Sequence, residues 1–321
     1  MARTRAKRLL AVFGVIGIVA ALWVAAIVVG RGSGERGTSA TQYDEELLRE
    51  GSSDEKIALI NVVGEIFSDP EELAEGASDS NILRQLEQAR DDESVAGVIV
   101  NLETPGGSVT ASDAIYRKVL ELRRRDKPVV ALMGDVAASG GYYIAAGADE
   151  VVAHPYTWTG SIGVIALLPN FEQAAGKLGV TVAVVKSGAL KDAGSPFRAL
   201  TEEERALFQR LIDEAYAGFV NVVSTGRKLN GARTRELADG RIYSGIQAKE
   251  LGLVDYLGDR DLAFRRAKEL ARSPGASLVR YSRGRSFFEQ LIPFRLNAPD
   301  GELLKEVGIQ RRPGAAYLWL P

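Results

Sequence analysis

Beyond residue 55 the chain alternates between short apolar runs and longer segments in which apolar residues recur every three or four positions. Ile57 to Val63 and Val95 to Leu102 are runs of strand length, and between them Ile82, Leu83, Leu86 and Ala89 fall at helical spacing. Ile115, Val119 and Leu122 mark one face of a further helix that stops at Arg123-Arg124-Arg125, and Val129 to Leu132 reads as the next buried strand. More strands are expected near Val151, at Ile162 to Leu167 and at Val180 to Lys186. Thr201 and Glu204 form a capping box that opens a long helix with Leu207, Leu211, Ala215, Phe219 and Val222 on its apolar stripe. Shorter helices near Arg233 to Ala238 and Ile246 to Leu251 end at Gly240 and Gly252, and a last one runs from about Leu262 to Ala271. After Ser273 the pattern thins, and the chain holds no internal repeat. The alternation predicts an α/β fold, a largely parallel sheet flanked by helices.

The N-terminus follows a different rule. Leu9 to Gly30 is 22 residues without a charge, enough at ~1.5 Å per residue to cross a ~30 Å hydrocarbon core. Arg3, Arg5, Lys7 and Arg8 precede it, which orients the N-terminus to the cytoplasm and the body of the chain outside. A cleaved signal peptide would have a shorter apolar region ending in an A-x-A-like site, and neither is present. The expected organisation is a basic arm over 1–8, a transmembrane helix over 9–30 and a juxtamembrane linker over 31–55, rich in Gly, Ser and charge.

Composition removes several chemistries. With no Cys there is no disulfide framework, thiolate nucleophile, Cys-ligated zinc or Fe–S cluster. The single histidine, His154, cannot make a His-rich metal site, and a Ser-His-Asp triad would have to use it. Net charge is −2, and without the basic arm the remainder is more acidic still, which gives no footprint for nucleic acid. No metal or organic cofactor is implied.

Candidate chemistry gathers on four short stretches. Ser139, within Met133-Gly-Asp-Val-Ala-Ala-Ser-Gly-Gly-Tyr-Tyr143, comes shortly after an apolar strand and directly before Gly140 and Gly141. A tight strand-to-helix turn holds a nucleophile in this way and leaves the Gly140 amide to face an oxyanion, although a helix N-cap fits the same pattern. Pro105-Gly106-Gly107 ends the preceding strand and can supply a second amide, from Gly107; the same motif is also a common turn. Lys191 lies in the small-residue loop Lys186-Ser-Gly-Ala-Leu-Lys-Asp-Ala-Gly-Ser195. A lysine serves as general base only as the neutral amine, which needs a dry pocket, and by residue type alone Lys186 is an equal rival. Ser161, in Thr159-Gly-Ser-Ile-Gly163, can orient that amine or act as a turn hydroxyl. His154, before Pro155, reads as structural or exposed.

Taken in order, Thr-Pro-Gly-Gly, Ala-Ala-Ser-Gly-Gly-Tyr-Tyr, Thr-Gly-Ser-Ile-Gly-Val, Lys-Ser-Gly-Ala-x-Lys-Asp and Asp-Gly-Arg-x-Tyr-x-Gly-x-Gln-Ala-x-x-Leu-Gly-Leu-Val-Asp resemble bacterial signal peptide peptidase A. That family of membrane-anchored serine proteases has a Ser-Lys dyad on the fold shared by Clp protease subunits and crotonases. The resemblance implies a protease domain over 56–272, with 273–321 as a C-terminal tail it does not cover. It implies Ser139 as nucleophile, Lys191 as general base, Ser161 as the residue that orients the lysine, and Gly107 and Gly140 as oxyanion donors. It is this likeness, not spacing, that prefers Lys191 over Lys186.

The family has long members with two tandem copies and short members with one, and the single motif set here resembles the short form. In the family the lysine and serine of one site come from neighbouring units. The resemblance therefore implies a homo-oligomeric ring, such as an octamer, tethered to the bacterial cell membrane with its protease domain outside the cytoplasm. Its substrates would be apolar peptides, including signal peptide remnants left after secretion. Two other classes fit parts of the pattern. A crotonase-like acyl-CoA enzyme would use the same glycine amides for a thioester enolate, and a catalytically silent membrane scaffold would keep the fold and dispense with Ser139.

Overall fold

The computed structural model describes residues 43–69, 77–282 and 316–318, the last three as backbone. The expected basic arm, membrane helix and first part of the linker lie outside the described residues, as does most of the tail. Among the described residues no helix is long and apolar enough to cross a membrane.

The chain runs through β1 (Asp44–Arg49), β2 (Lys56–Val63), α1 (Asp79–Asp91), β3 (Val95–Thr104), β4 (Gly106–Ser108), α2 (Val109–Arg124), β5 (Val129–Ala138) and α3 (Gly140–Ala145). It continues through β6 (Glu150–Ala153), β7 (Trp158–Gly160), α4 (Glu172–Lys177), α5 (Glu202–Gly226), α6 (Gly231–Leu237), β8 (Ile242–Ser244) and α7 (Gly245–Glu250). The final elements are β9 (Tyr256–Leu257), α8 (Arg260–Ala271), β10 (Ser277–Ser282) and β11 (Ala316–Leu318).

Nine strands form one sheet in the order β1-β10-β2-β3-β5-β6-β9, with β7 paired to the end of β5 and β8 to β7. Only β1 with β10 and β7 with β8 are antiparallel in it. The period-2 rule decides what each strand buries. In β2, Ile57 and Leu59 face α8 and pack with its Ala263, Phe264 and Ala267, while Ala58, Ile60 and Val62 belong to the larger core on the other face. The helical stripes read from sequence are the buried ones: Ile82, Leu86 and Ala89 of α1, and Ile115, Val119 and Leu122 of α2. Thr201 and Glu204 close their capping box at the start of α5.

Two expected strands are absent. Neither Ile162 to Leu167 nor Val180 to Lys186 forms a strand, and the short helix α4 lies between them. From residue 163 to residue 203 no side chain is buried. Hydrophobicity alone favoured strands there, but a strand needs a neighbour for its N–H and C=O groups, and the chain places none beside these segments. The sheet also extends past both ends of 56–272. Asp44–Arg49, within the expected linker, pairs with Ser277–Ser282, within the expected tail. The pairing is edged by Arg280–Glu46 at 2.6 Å and Lys56–Glu45 at 2.8 Å.

Candidate active site

The site is built on a break in β5. Its first half pairs with β6 through Val130–Met133 and its second half with β7 through Val136–Ala138. Gly134 lies between the halves, where a side chain would collide with the Glu103 carboxylate. That carboxylate instead accepts the amides of Asp135 at 2.8 Å and Val136 at 3.2 Å, so the interrupted ladder keeps its donors satisfied. The second half of β5 is thereby aimed at β7, and Ser139 follows directly.

Ser139 caps α3 with φ +53° and ψ −114°, a backbone conformation that favours glycine. Its amide donates to the Gly160 carbonyl at 2.8 Å and its carbonyl accepts from Tyr143 at 2.9 Å, so both sides of the turn are held. The residue is buried, and its Oγ has no hydrogen-bond partner among the described residues.

Gly140 and Gly107 stand against each other. A Cβ added to Gly140 would lie 3.3 Å from the Gly107 nitrogen and 3.3 Å from the Gly106 Cα. Gly107 has φ +154°, and a Cβ there would run into the backbone of Ile66. Both positions therefore need glycine for close approach of backbone to backbone. The Thr104 hydroxyl accepts the Gly106 amide at 3.0 Å and fixes the turn between β3 and β4.

Ser161 also follows directly on a register pair, since Ala138 is opposite Gly160 in the parallel β5–β7 ladder. It has φ +49°, is nearly buried, and its amide donates to Arg241 at 2.8 Å. Beside it opens a cavity of about 480 Å³ whose lining includes Ser161, Asp213 and Tyr216 of α5, and Asp239. Hydrogen bonds from Arg241 hold the Asp239 carboxyl below the usual carboxylate range.

The two lysines differ sharply. Lys186 is engaged, donating to Ala189 at 2.7 Å and to Asp192 at 2.6 Å. Lys191 is exposed and makes no side-chain hydrogen bond or ion pair with any described residue; its backbone amide closes a turn to Gly188 at 3.1 Å. Around it Arg198 bridges Asp192 and Glu204, so the Lys191 loop is tied to the first turn of α5. The structure thus brings Ser139, Gly140, Gly107 and Ser161 together, and it leaves Lys191 without contact to Ser139 within the chain. His154 is spent in a turn, its Nδ1 accepting from Tyr156 at 3.3 Å.

Two participants went unread in the sequence. Ser112 on α2 is fully buried, its Oγ has no partner among the described residues, and it lies 2.5 Å from where a Gly140 Cβ would be. Ser112 is three residues before Ile115 and so lies on the same buried stripe, but only the fold reveals that it stands against the glycine turn. Glu103 falls just past the strand expected to end at Leu102; a carboxylate one residue before Thr-Pro-Gly-Gly was the signal available.

A serine with a strained backbone on a strand-to-helix turn, flanked by paired glycines, is the setting of a hydrolase that works through serine. Comparison with known proteins narrows this class. Residues 121–273 match peptidase family S49. A protein of Enterococcus faecium assigned as a signal peptide peptidase SppA is 40% identical over 245 residues, 75% of this chain and 71% of that protein. A protease assigned in Methanocaldococcus jannaschii is 39% identical over 235 residues, 71% of this chain and 74% of its own length. Protease 4 of Haemophilus influenzae is 39% identical over 215 residues, 67% of this chain and 35% of that protein. The chain belongs to peptidase family S49 and is a serine peptidase.

Proposed function

We propose that this peptidase cuts extended apolar peptides, signal peptide remnants among them, with Ser139 as nucleophile and Lys191 of a neighbouring copy as general base. The observation that carries the reading is the Ser139 turn: a residue held at φ +53° beside Gly140 and Gly107, with a hydroxyl that nothing described in its own chain engages. The Ser139 Oγ attacks the scissile carbonyl carbon, and the Lys191 amine takes the hydroxyl proton and passes it to the leaving nitrogen. The Gly107 and Gly140 amides stabilise the negative charge on the carbonyl oxygen, and water then hydrolyses the ester with the same lysine as base.

The exposed state of Lys191 supports a shared site. A lysine takes a proton only as the neutral amine, which solvent disfavours and burial promotes. The segment that carries it exposes Leu178, Val180, Val182, Val184 and Val185, with Val185 fully exposed, an apolar surface suited to a second copy of the chain. The cavity beside Ser161 has room for an amine arriving from such a copy. Assembly into a ring, with residues 9–30 as a membrane anchor and the protease domain outside the cytoplasm, completes the reading.

A fluorophosphonate probe tests it. Wild-type protein should be labelled at Ser139 and lose peptidase activity in proportion, while Ser139→Ala should be inert. Labelling at another serine with activity lost would overturn the assignment.

A further inference from the structure

The Lys191 loop takes its shape from ion pairs. Ser187, Gly188 and Ala189 are exposed and supply no packing, and a lysine side chain is a flexible stem, so only the backbone beneath Lys191 can be set in advance. Asp192, the next residue, is held from both directions along the chain. Lys186 donates to its Oδ1 at 2.6 Å and to the Ala189 carbonyl at 2.7 Å, which closes the loop on itself. Arg198 donates from Nε to Asp192 Oδ2 at 3.1 Å and from Nη2 to the Asp192 carbonyl at 3.1 Å. The same guanidinium grips Glu204, with Nη1 donating to Oε2 at 2.8 Å and Nη2 to Oε1. Glu204 is 2% exposed and completes the capping box of α5, its Oε2 also accepting the Thr201 amide at 3.0 Å. Further along α5, Phe219, Val220, Val222 and Val223 are buried in the larger core. A continuous chain of contacts therefore runs from the core through α5, Glu204, Arg198 and Asp192 to the backbone of Lys191.

We propose that Arg198 is a positioning residue for catalysis in another copy: it fixes the backbone that carries Lys191, so that the amine meets the neighbour's Ser139 already oriented. The inference rests on the reading of Lys191 given above, in which its amine serves a site outside its own chain. Arginine suits the task because its planar fork grips two carboxylates at once in a fixed geometry, where a lysine would grip one. The ion pairs are partly exposed and add little stability. They matter through geometry, since a catalytic group displaced by about 1 Å costs on the order of 100-fold in rate.

Subunit mixing gives a test with a direction. In an exchanged mixture of full-length Ser139→Ala and Lys191→Ala chains, each working site takes Lys191 from the first chain and Ser139 from the second. Arg198→Ala placed in the first chain, beside the working lysine, should lower kcat of the mixture about 10- to 100-fold with KM little changed. Placed in the second chain it adjoins a position 191 that serves no site, and kcat should match that of the unmodified mixture. Arg198→Lys in the first chain keeps the charge and loses the fork, so it should recover little of the loss. Equal kcat for the two placements, whether lowered or not, would overturn the inference, and so would full recovery by Arg198→Lys. A loss that disappears when the protein concentration is raised about tenfold would make Arg198 a residue of assembly and overturn it as well. An unmodified mixture that stays inactive in oligomers of verified mixed composition would overturn the shared site itself, which separates that failure from a failure of Arg198 alone.

Discussion

The Ser139 amide donates to the Gly160 carbonyl at 2.8 Å, and this bond fixes the end of β5 against the end of β7. Because Ala138 and Gly160 are register partners, Ser139 and Ser161 leave adjacent strands at the same level. Both have positive φ, and the polar end of the sheet is assembled from these two strained turns and the glycine strand β4.

Strain at Ser139 has a measurable consequence. A non-glycine residue in this region costs on the order of 1–3 kcal/mol, which glycine relieves. Ser139→Gly should abolish peptide cleavage and raise Tm by several degrees relative to Ser139→Ala, which keeps the Cβ. Equal melting temperatures for the two variants would show that the turn is unstrained.

The contact between Ser112 and Gly140 predicts coupling. Gly140→Ala should lower kcat at least 10-fold, because its methyl would press on the Ser112 Oγ, and Ser112→Ala in the same chain should restore part of the loss. Additive effects in the double-mutant cycle would show that the hydroxyl does not confine the turn.

Subunit mixing examines the division of labour between copies. Ser139→Ala and Lys191→Ala should each be inactive, and exchanged mixtures of the two should regain activity. Lys186→Ala should retain most activity but loosen the loop it ties to Asp192. An inactive Lys186→Ala beside an active Lys191→Ala would reverse the choice of base.

Acid should loosen the Lys191 loop. Hydrogen bonds from Arg198, then from Lys186, hold Asp192 well below the usual carboxylate range, and Arg198 holds Glu204 at about 2. Both shifts are downward, so the network is intact above the unfolded carboxylate range near pH ~4 and is lost as pH falls towards 2. Hydrogen exchange across residues 186–204, corrected for intrinsic rates, should rise steeply below pH ~3.5. Arg198→Ala should bring the same rise to neutral pH, and a pH-independent profile in wild type would count against the network.

How much could be read beforehand depended on whether a signal was local. The apolar run of β2, the Ile82 and Ile115 stripes and the Thr201 box are local, and each is where the fold puts it. Asp44-Glu-Glu-Leu-Leu-Arg49 carries no strand signal of its own; it is a strand because β10 offers an edge. Val180 to Lys186 is the converse, apolar enough for a strand but without a partner. At the site, Ser139 and its glycines were visible as a turn pattern, and the choice of Lys191 came from family likeness. Ser112 and Glu103 were hidden because their roles consist of contacts with Gly140 and Gly134, which only folding creates.

The stretch from residue 163 to residue 203, in which no side chain is buried, separates two processes that most enzymes combine. Since the core takes little from it beyond the half-buried Val164, the sheet can form at any dilution, whereas the shared site proposed above would exist only above a threshold of crowding. A newly made copy would be folded before it was dangerous, and local density on a membrane, more than time or processing, would decide when cutting begins.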